Sequence, residues 1–117
     1  HADAILAKNP DTNLIVYGDL NDHRIESPIK ALQGRYGSDG YLRDIQFTDT
    51  DGYRWTYFWR YGDQYSRFDY ALVSKGLYPE TLLEESYIAG AGYKNWYLAS
   101  DHRPIVLKIR PVDKVSK

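Results

Sequence analysis

The stretch VYGDLND, residues 16–22, decides how this chain folds. An apolar run, Leu14-Ile15-Val16-Tyr17, ends on Gly18, and Asp19, Asn21 and Asp22 follow within four positions. A nearly all-apolar run of this length reads as a strand buried on both faces. Asp and Asn just after a strand are common turn formers, because their side chains bond the nearby backbone. Taken alone, the stretch is a strand and a turn. Its meaning depends on what else reaches the same strand end.

Two other polar clusters do so. In YSRFDYALVS, residues 65–74, Asp69 opens a strand running to Ser74. In ASDHRPIVLKI, residues 99–109, Asp101 and His102 precede a strand expected over Pro104–Arg110, where Ile105, Leu107 and Ile109 alternate with Val106, Lys108 and Arg110. One cluster sits at a C-terminal strand end and two at N-terminal ends. If the first strand runs antiparallel to the other two, all three clusters meet at one sheet edge. Each has a plain structural reading: a turn at Asp19, an Asp69–Arg67 pair, a turn at Ser100-Asp101 with a structural His102. Their joint occurrence in this order is the stronger signal.

The remaining elements are modest. Ala2, Ile5 and Leu6 have helical spacing, ended by Asn9-Pro10. Ser27-Pro28 reads as the start of a short helix with Ile29 and Leu32 inward, stopping near Gly34, and residues 34–40 read as a loop. Asp49-Thr50-Asp51-Gly52 reads as a turn between a weak strand near 44–48 and a stronger one near 53–59. It is no EF-hand, because the twelfth position is Arg60 rather than glutamate. Residues 82–89 are a further candidate strand. The expected class is a strand-rich α/β (α+β) domain with little helix.

Composition bounds the function. The chain has 117 residues, 43% hydrophobic and 26% charged, enough for one domain with a modest core. Its net charge of −1, from 15 basic and 16 acidic residues, gives no support to bulk electrostatic binding of nucleic acid or acidic membranes. No cysteine is present, so disulfides, thiolate metal sites and a cysteine nucleophile are excluded. The apolar runs are far too short to span a bilayer. The chain holds no methionine and begins with His1, which leads us to expect a single domain or fragment over 1–117 of a longer protein.

The three clusters suit hydrolysis of a phosphate ester, a reaction catalysed by positioning and by neutralising charge on the phosphate oxygens. Asp19, Asp69 and Asp101 offer hard oxygen ligands or bases, and Mg²⁺ is the usual cation for such donors. Asn21 can donate to a phosphate oxygen without adding negative charge. One ring nitrogen of His102 can be held by a carboxylate while the other faces substrate.

VYGDLND, SRFDYALVS and ASDHRPIV together resemble the last three motifs of the endonuclease/exonuclease/phosphatase superfamily, whose fold is like that of deoxyribonuclease I. The resemblance extends over essentially the whole chain. It implies the C-terminal half of a four-layer α/β sandwich with mostly antiparallel sheets. It implies that Asp19 orients or deprotonates the attacking water, Asn21 contacts the scissile phosphate, His102 stabilises it, and Asp69 holds the imidazole. Asp101, with Asp19, would lie at a Mg²⁺ (or Mn²⁺) ion. Arg67 would brace the site or bind substrate.

The family's N-terminal half carries an Asn and the principal metal-binding Glu, and neither motif is present. The expectation is therefore a hydrolase as the full-length parent and a nearly inactive chain alone. Its implied partners are the missing half, a second copy of itself, and a phosphate-ester substrate: nucleic acid, phospholipid headgroup or small phosphodiester. The alternative is a non-catalytic binding or scaffold protein on the same fold. In YRWTYFWRYGDQY, residues 53–65, alternation puts Trp55, Tyr57 and Trp59 on one face and Arg54, Phe58 and Arg60 largely on the other. The plain structural reading, which carries more weight, is that one face is core and the rings simply pack. Arg60, Tyr61 and Trp59 are the candidates to reach the site's rim and bind a base, sugar or headgroup.

Overall fold

The computed structural model describes residues 1–20, 27–90 and 95–112. Its organising pair is β1 (Ile15–Asp19) against β5 (Asp69–Val73). The two run antiparallel, with Ile15 opposite Val73 and Asp19 opposite Asp69. β2 (Arg43–Asp44) pairs antiparallel on the other side of β5, so the order is β1-β5-β2. β5 is central and its side chains alternate between two apolar clusters. Ala71 and Val73 pack with Ile45, Phe47, Leu77 and Ile88 on one side. Leu72 packs with Leu6 and Leu42 on the other, under the helix α1 (Ala2–Lys8). Both faces are therefore covered, which is why the run Tyr70–Val73 is uniformly apolar and uniformly buried.

Two small antiparallel sheets flank this core. β3 (Tyr57–Trp59) and β4 (Gln64–Ser66) form a hairpin, and β6 (Tyr87–Ile88) pairs with β7 (Ile105–Val106). The helix α2 (Ser27–Gln33) buries Ile29 and ends before Gly34, which has φ 76°. Leu32 does not turn inward as expected; it is 39% exposed. A third, short helix, α3, covers Trp96–Ala99. No described helix is long and apolar enough to cross a membrane. Mixed α/β architecture with antiparallel pairing agrees with the sequence reading.

The strands are shorter than the sequence suggests. The stretch 44–48 contributes only its first residue to β2, and 53–59 only Tyr57–Trp59. Within 82–89, Leu83–Glu85 is a 3-10 turn and only Tyr87–Ile88 is strand. Within 104–110, only Ile105–Val106 belongs to a strand, with a single bridge from Thr81 to Ile109 beyond it. More importantly, β7 does not join the β1–β5 sheet. His102 instead bridges to Tyr57, and the Arg103 amide donates to the Thr56 carbonyl at 2.6 Å. Pro104 has no N–H to continue that ladder, so the chain changes partner there and pairs next with β6.

The Asp49–Gly52 turn is formed as expected, and it has a second task. Asp49 Oδ1 accepts the Asp51 and Tyr53 amides at 2.9 Å each, while its Oδ2 accepts Arg103 Nη1 at 2.9 Å. Arg103 Nη2 donates to the Trp55 carbonyl at 2.6 Å, and its guanidinium lies 3.5 Å from the centre of the Trp55 ring. Both ends of this ion pair are buried, with 4% and 5% of the side chains exposed. Removing one partner strands a buried charge, so Arg103→Ala is expected to cost about 3–5 kcal/mol of stability in chemical denaturation. Burial raises the Asp49 pKa, but the Arg103 hydrogen bond, the Tyr53 and Asp51 amides and the Arg103 charge outweigh it and hold the carboxyl below its usual 3.8. Its contribution is therefore present above pH 3.8 and is lost as pH falls through the lower folded value. Acid unfolding of Asp49→Asn should accordingly show less loss as pH falls below 3.8 than the parent sequence.

Candidate active site

Register alone places the first two carboxylates. Asp19 and Asp69 end up directly opposite at the end of the β1–β5 pair. Gly18 precedes Asp19 with φ 141°, a conformation that L side chains rarely adopt, so the glycine is required by its backbone rather than by crowding. Like charges opposite each other across a strand pair are unfavourable. His102 resolves the conflict. Its Nδ1 lies 2.8 Å from Asp69 Oδ2, and its Nε2 lies 3.6 Å from Asp19 Oδ2 and 4.0 Å from Asp101 Oδ1. The ligand atoms of Asp19, Asp69 and His102 all fall within 4.8 Å of one another.

Three elements hold the imidazole in place. The His102 amide donates to Ser100 Oγ at 3.0 Å, closing a tight turn. The backbone bridge to Tyr57 continues with Phe58 N donating to the Asp101 carbonyl at 3.1 Å. The Tyr57 ring packs beside the imidazole with centroids 5.0 Å apart, and beside Phe68 at 5.1 Å. Partial burial lowers the His102 pKa, but the Asp69 hydrogen bond and the charges of Asp69, Asp19 and Asp101 outweigh it, so the net shift is upward from 6.5. Because Asp69 is an acceptor, it fixes Nδ1 as the protonated nitrogen and directs Nε2 toward Asp19 and Asp101. A cleft of about 320 Å³ opens here, with Tyr17, Gly18, Asp69 and His102 in its walls.

Thr56 is the hub that sequence reading noticed only as part of a Thr-Tyr pair. It is 1% exposed. Its Oγ1 accepts the Phe68 and Asp69 amides at 3.0 and 3.1 Å, and its backbone takes Ser66 and Arg103 as partners. One buried residue thus fixes the start of β5 and the His102 segment together. The Asp49–Arg103 clamp was also missed as a site feature. Its only local signal is an Asp-Thr-Asp-Gly turn, and nothing adjacent in sequence names Arg103 as its partner.

The other expected site residues are placed as follows. Asp19, Asp69, Asp101 and His102 come together. Asn21 and Asp22 lie outside the described residues. Arg67 does not pair with Asp69. Its guanidinium forks onto Asp44 at 2.5 and 2.8 Å, reaches the Ile45 carbonyl at 3.0 Å and lies 4.2 Å from the Tyr70 ring centre. It ties β2 to the chain two residues ahead of β5. Arg60 and Tyr61 sit on the exposed turn of the β3–β4 hairpin, with the Arg60 guanidinium 5.8 Å from the Tyr61 ring centre.

An imidazole oriented by one carboxylate and flanked by two more is the equipment of acid–base hydrolysis. The chain belongs to the endonuclease/exonuclease/phosphatase family, a family of phosphate-ester hydrolases and nucleases whose model matches residues 1–102. No curated protein and no solved structure matches it significantly.

Two measurements check this geometry. In the metal-free protein, the His102 imidazole should titrate above 6.5 by NMR, and Asp69→Asn should lower that value by removing a charge and an acceptor. An unshifted His102, or one indifferent to Asp69→Asn, would contradict the 2.8 Å contact. Thr56→Val keeps the side-chain shape but leaves the Phe68 and Asp69 amides without their acceptor. We expect a loss of about 1–3 kcal/mol in stability.

Proposed function

We propose that the Asp19–His102–Asp69 constellation, with Asp101, is the centre of a metal-assisted hydrolase of phosphate esters. The observation that carries this reading is the imidazole held between two carboxylates at 2.8 and 3.6 Å, in a chain of this family. The 3.6 Å spacing is longer than a hydrogen bond, and a third oxygen could be reached by both His102 Nε2 and Asp19 Oδ2. That oxygen would belong to the scissile phosphate or to the attacking water.

In this scheme Asp69 keeps the His102 ring oriented and compensates the charge of its protonated form. The raised pKa favours the imidazolium, which donates from Nε2 to a non-bridging phosphate oxygen and stabilises charge as it builds there. Asp19 orients the water and accepts its proton as the new P–O bond forms and the bond to the leaving oxygen breaks. The leaving oxygen takes a proton from solvent. Asn21 is assigned the scissile phosphate as a neutral donor.

The carboxylates of Asp19 and Asp101 are exposed by 44% and 65%, and their hard oxygens fit Mg²⁺ or Mn²⁺. Asp69 is less suited, since its Oδ2 is already committed to His102. A divalent cation held there would neutralise charge on the phosphate oxygens and favour ionisation of the water.

The test is turnover by the full protein that carries this chain, with Mg²⁺ or Mn²⁺ and a panel of phosphodiesters and phosphomonoesters. Asp19→Ala and His102→Ala should each lower kcat by roughly 10²- to 10⁴-fold. Chelation of divalent ions should abolish turnover, and adding Mg²⁺ back should restore it. Full activity in either variant, or activity indifferent to chelator, would sink the proposal. Turnover of nothing on the panel would favour a binding protein on the same fold.

A further inference from the structure

The turn of the β3–β4 hairpin and the short helix α3 face each other across a groove of about 240 Å³. Trp59, Arg60 and Tyr61 of the hairpin, Trp96 and Tyr97 of α3, and Asp101 are among the residues that line it. Asp101 is the residue before His102, and its carboxylate lies 4.0 Å from His102 Nε2. The groove therefore opens beside the point where the phosphate is assigned. Its rings are left in water: Tyr61 is 84% exposed, Tyr97 60% and Trp59 44%. Contiguous apolar surface of this kind next to a polar site marks a binding groove.

The rings are also held. A Cβ on Gly62 would come 2.4 Å from Trp59 Cζ3, so the indole rests on the Gly62 backbone at a distance no other residue type permits. The Gly62 amide donates to the Trp59 carbonyl at 3.3 Å. Trp96 leans on Trp55 with centroids 5.9 Å apart, and on Tyr97 at 6.3 Å and 84°. Aromatic side chains fixed in this way lose little freedom when a ligand stacks on them.

We infer that this groove is a stacking subsite for a nucleobase attached to the scissile phosphate. The inference rests on the hydrolytic reading of the centre and names its substrate class as a nucleotide phosphodiester. Flat π surfaces suit a base of any identity. Among the described residues Arg60 is the groove's single cation and Asp101 its single acid, too few positive charges for a multiply phosphorylated headgroup. The lining is aromatic rather than aliphatic, which gives an acyl chain no dedicated surface. A quaternary ammonium would also favour ring faces, but Arg60 in the same groove repels it.

Binding to the full chain in Mg²⁺ tests this with two probes: a dinucleotide with a phosphorothioate linkage, and the same diester with one base replaced by hydrogen. Tryptophan fluorescence and the indole N–H signal of Trp59 give the readout. The base-bearing probe should bind about tenfold more tightly. Trp59→Ala and Tyr97→Ala should each erase most of that difference, Trp59→Phe should retain it, and Gly62→Ala should reduce it by displacing the indole. Tyr61→Ala, at a ring almost wholly in solvent, tests the groove without risk to folding and should also weaken the base-bearing probe. Equal affinity for both probes, failure of both to bind, or indifference to these variants would overturn the inference, as would tighter binding of glycerophosphocholine. Base-dependent binding without turnover would remove the hydrolytic reading and keep the groove. Turnover indifferent to the base would do the reverse.

Discussion

Two carboxylates facing each other across a strand pair are the constraint on which the rest of this structure depends. The Asp19–Asp69 register is imposed by the apolar faces of β1 and β5, since slipping either strand by one residue would turn its buried side chains to the wrong side. The fold thus fixes two negative charges at one point and must bring a partner to them. His102 is that partner. Its upward-shifted pKa and its 2.8 Å bond to Asp69 express the same electrostatic fact from the side of the ring. Stability of the strand end and the tuning of the imidazole are therefore one property here. A substitution that relieved the repulsion would also remove the field that tunes the imidazole.

Bringing His102 to that point is the work of a second layer. The histidine arrives on a segment bridged to β3, and Thr56 joins that segment to the first amides of β5. Arg103, the next residue, is locked beneath by Asp49, the Trp55 carbonyl and the Trp55 ring. The neighbouring residues of the motif thus have opposite tasks: His102 faces the cleft while Arg103 is buried as an anchor. Arg67 stands in a similar relation to Asp69, since it is spent on Asp44 and Ile45 while the acid two residues later serves the site. In both cases a cation next to or near these residues ties neighbouring segments together.

Much of this was legible in the sequence, for definite reasons. The run from Tyr70 to Val73 is apolar because both faces of β5 are covered, whereas the run from Leu14 to Tyr17, read as a strand buried on both faces, lies at the edge of the sheet and leaves Tyr17 73% exposed. The meeting of Asp19, Asp69, Asp101 and His102 followed from strand polarity for the first two. The last two reach the same point by another route than a shared sheet, because Pro104 divides their segment between two partners, Tyr57 before it and β6 after it. Alternation in Ile105–Ile109 reports side-chain facing and carries no information about which strand lies alongside. Leu32 lies three residues after the buried Ile29, on the same side of the helix, yet it is 39% exposed, so periodicity alone does not report which of the two is covered. Thr56 and the Asp49–Arg103 clamp were illegible because their meaning lies in contacts 12 and 54 residues away.

The aromatic stretch 53–65 shows how one local composition divides between structure and surface. Trp55 and Tyr57 are consumed inward, the first against Arg103 and Tyr65, the second against Phe68 and His102. Phe58 stacks on Tyr65 across the hairpin at 4.6 Å. Beyond Trp59 the hairpin turns through Gly62 and Asp63, the latter with φ 47°, and the remaining rings have no core to enter. Rings at a turn that served only to pack would be expected to fold back onto the sheet, where each could remove apolar area from water. Instead Tyr61 projects from the same turn whose strand fixes Asp101 and His102 through backbone bonds. Any displacement of the hairpin by something seated on those rings would be transmitted to the Phe58–Asp101 bond, one residue from the imidazole. The hairpin thus couples the surface that would meet the substrate's bulk to the groups that would meet its phosphate.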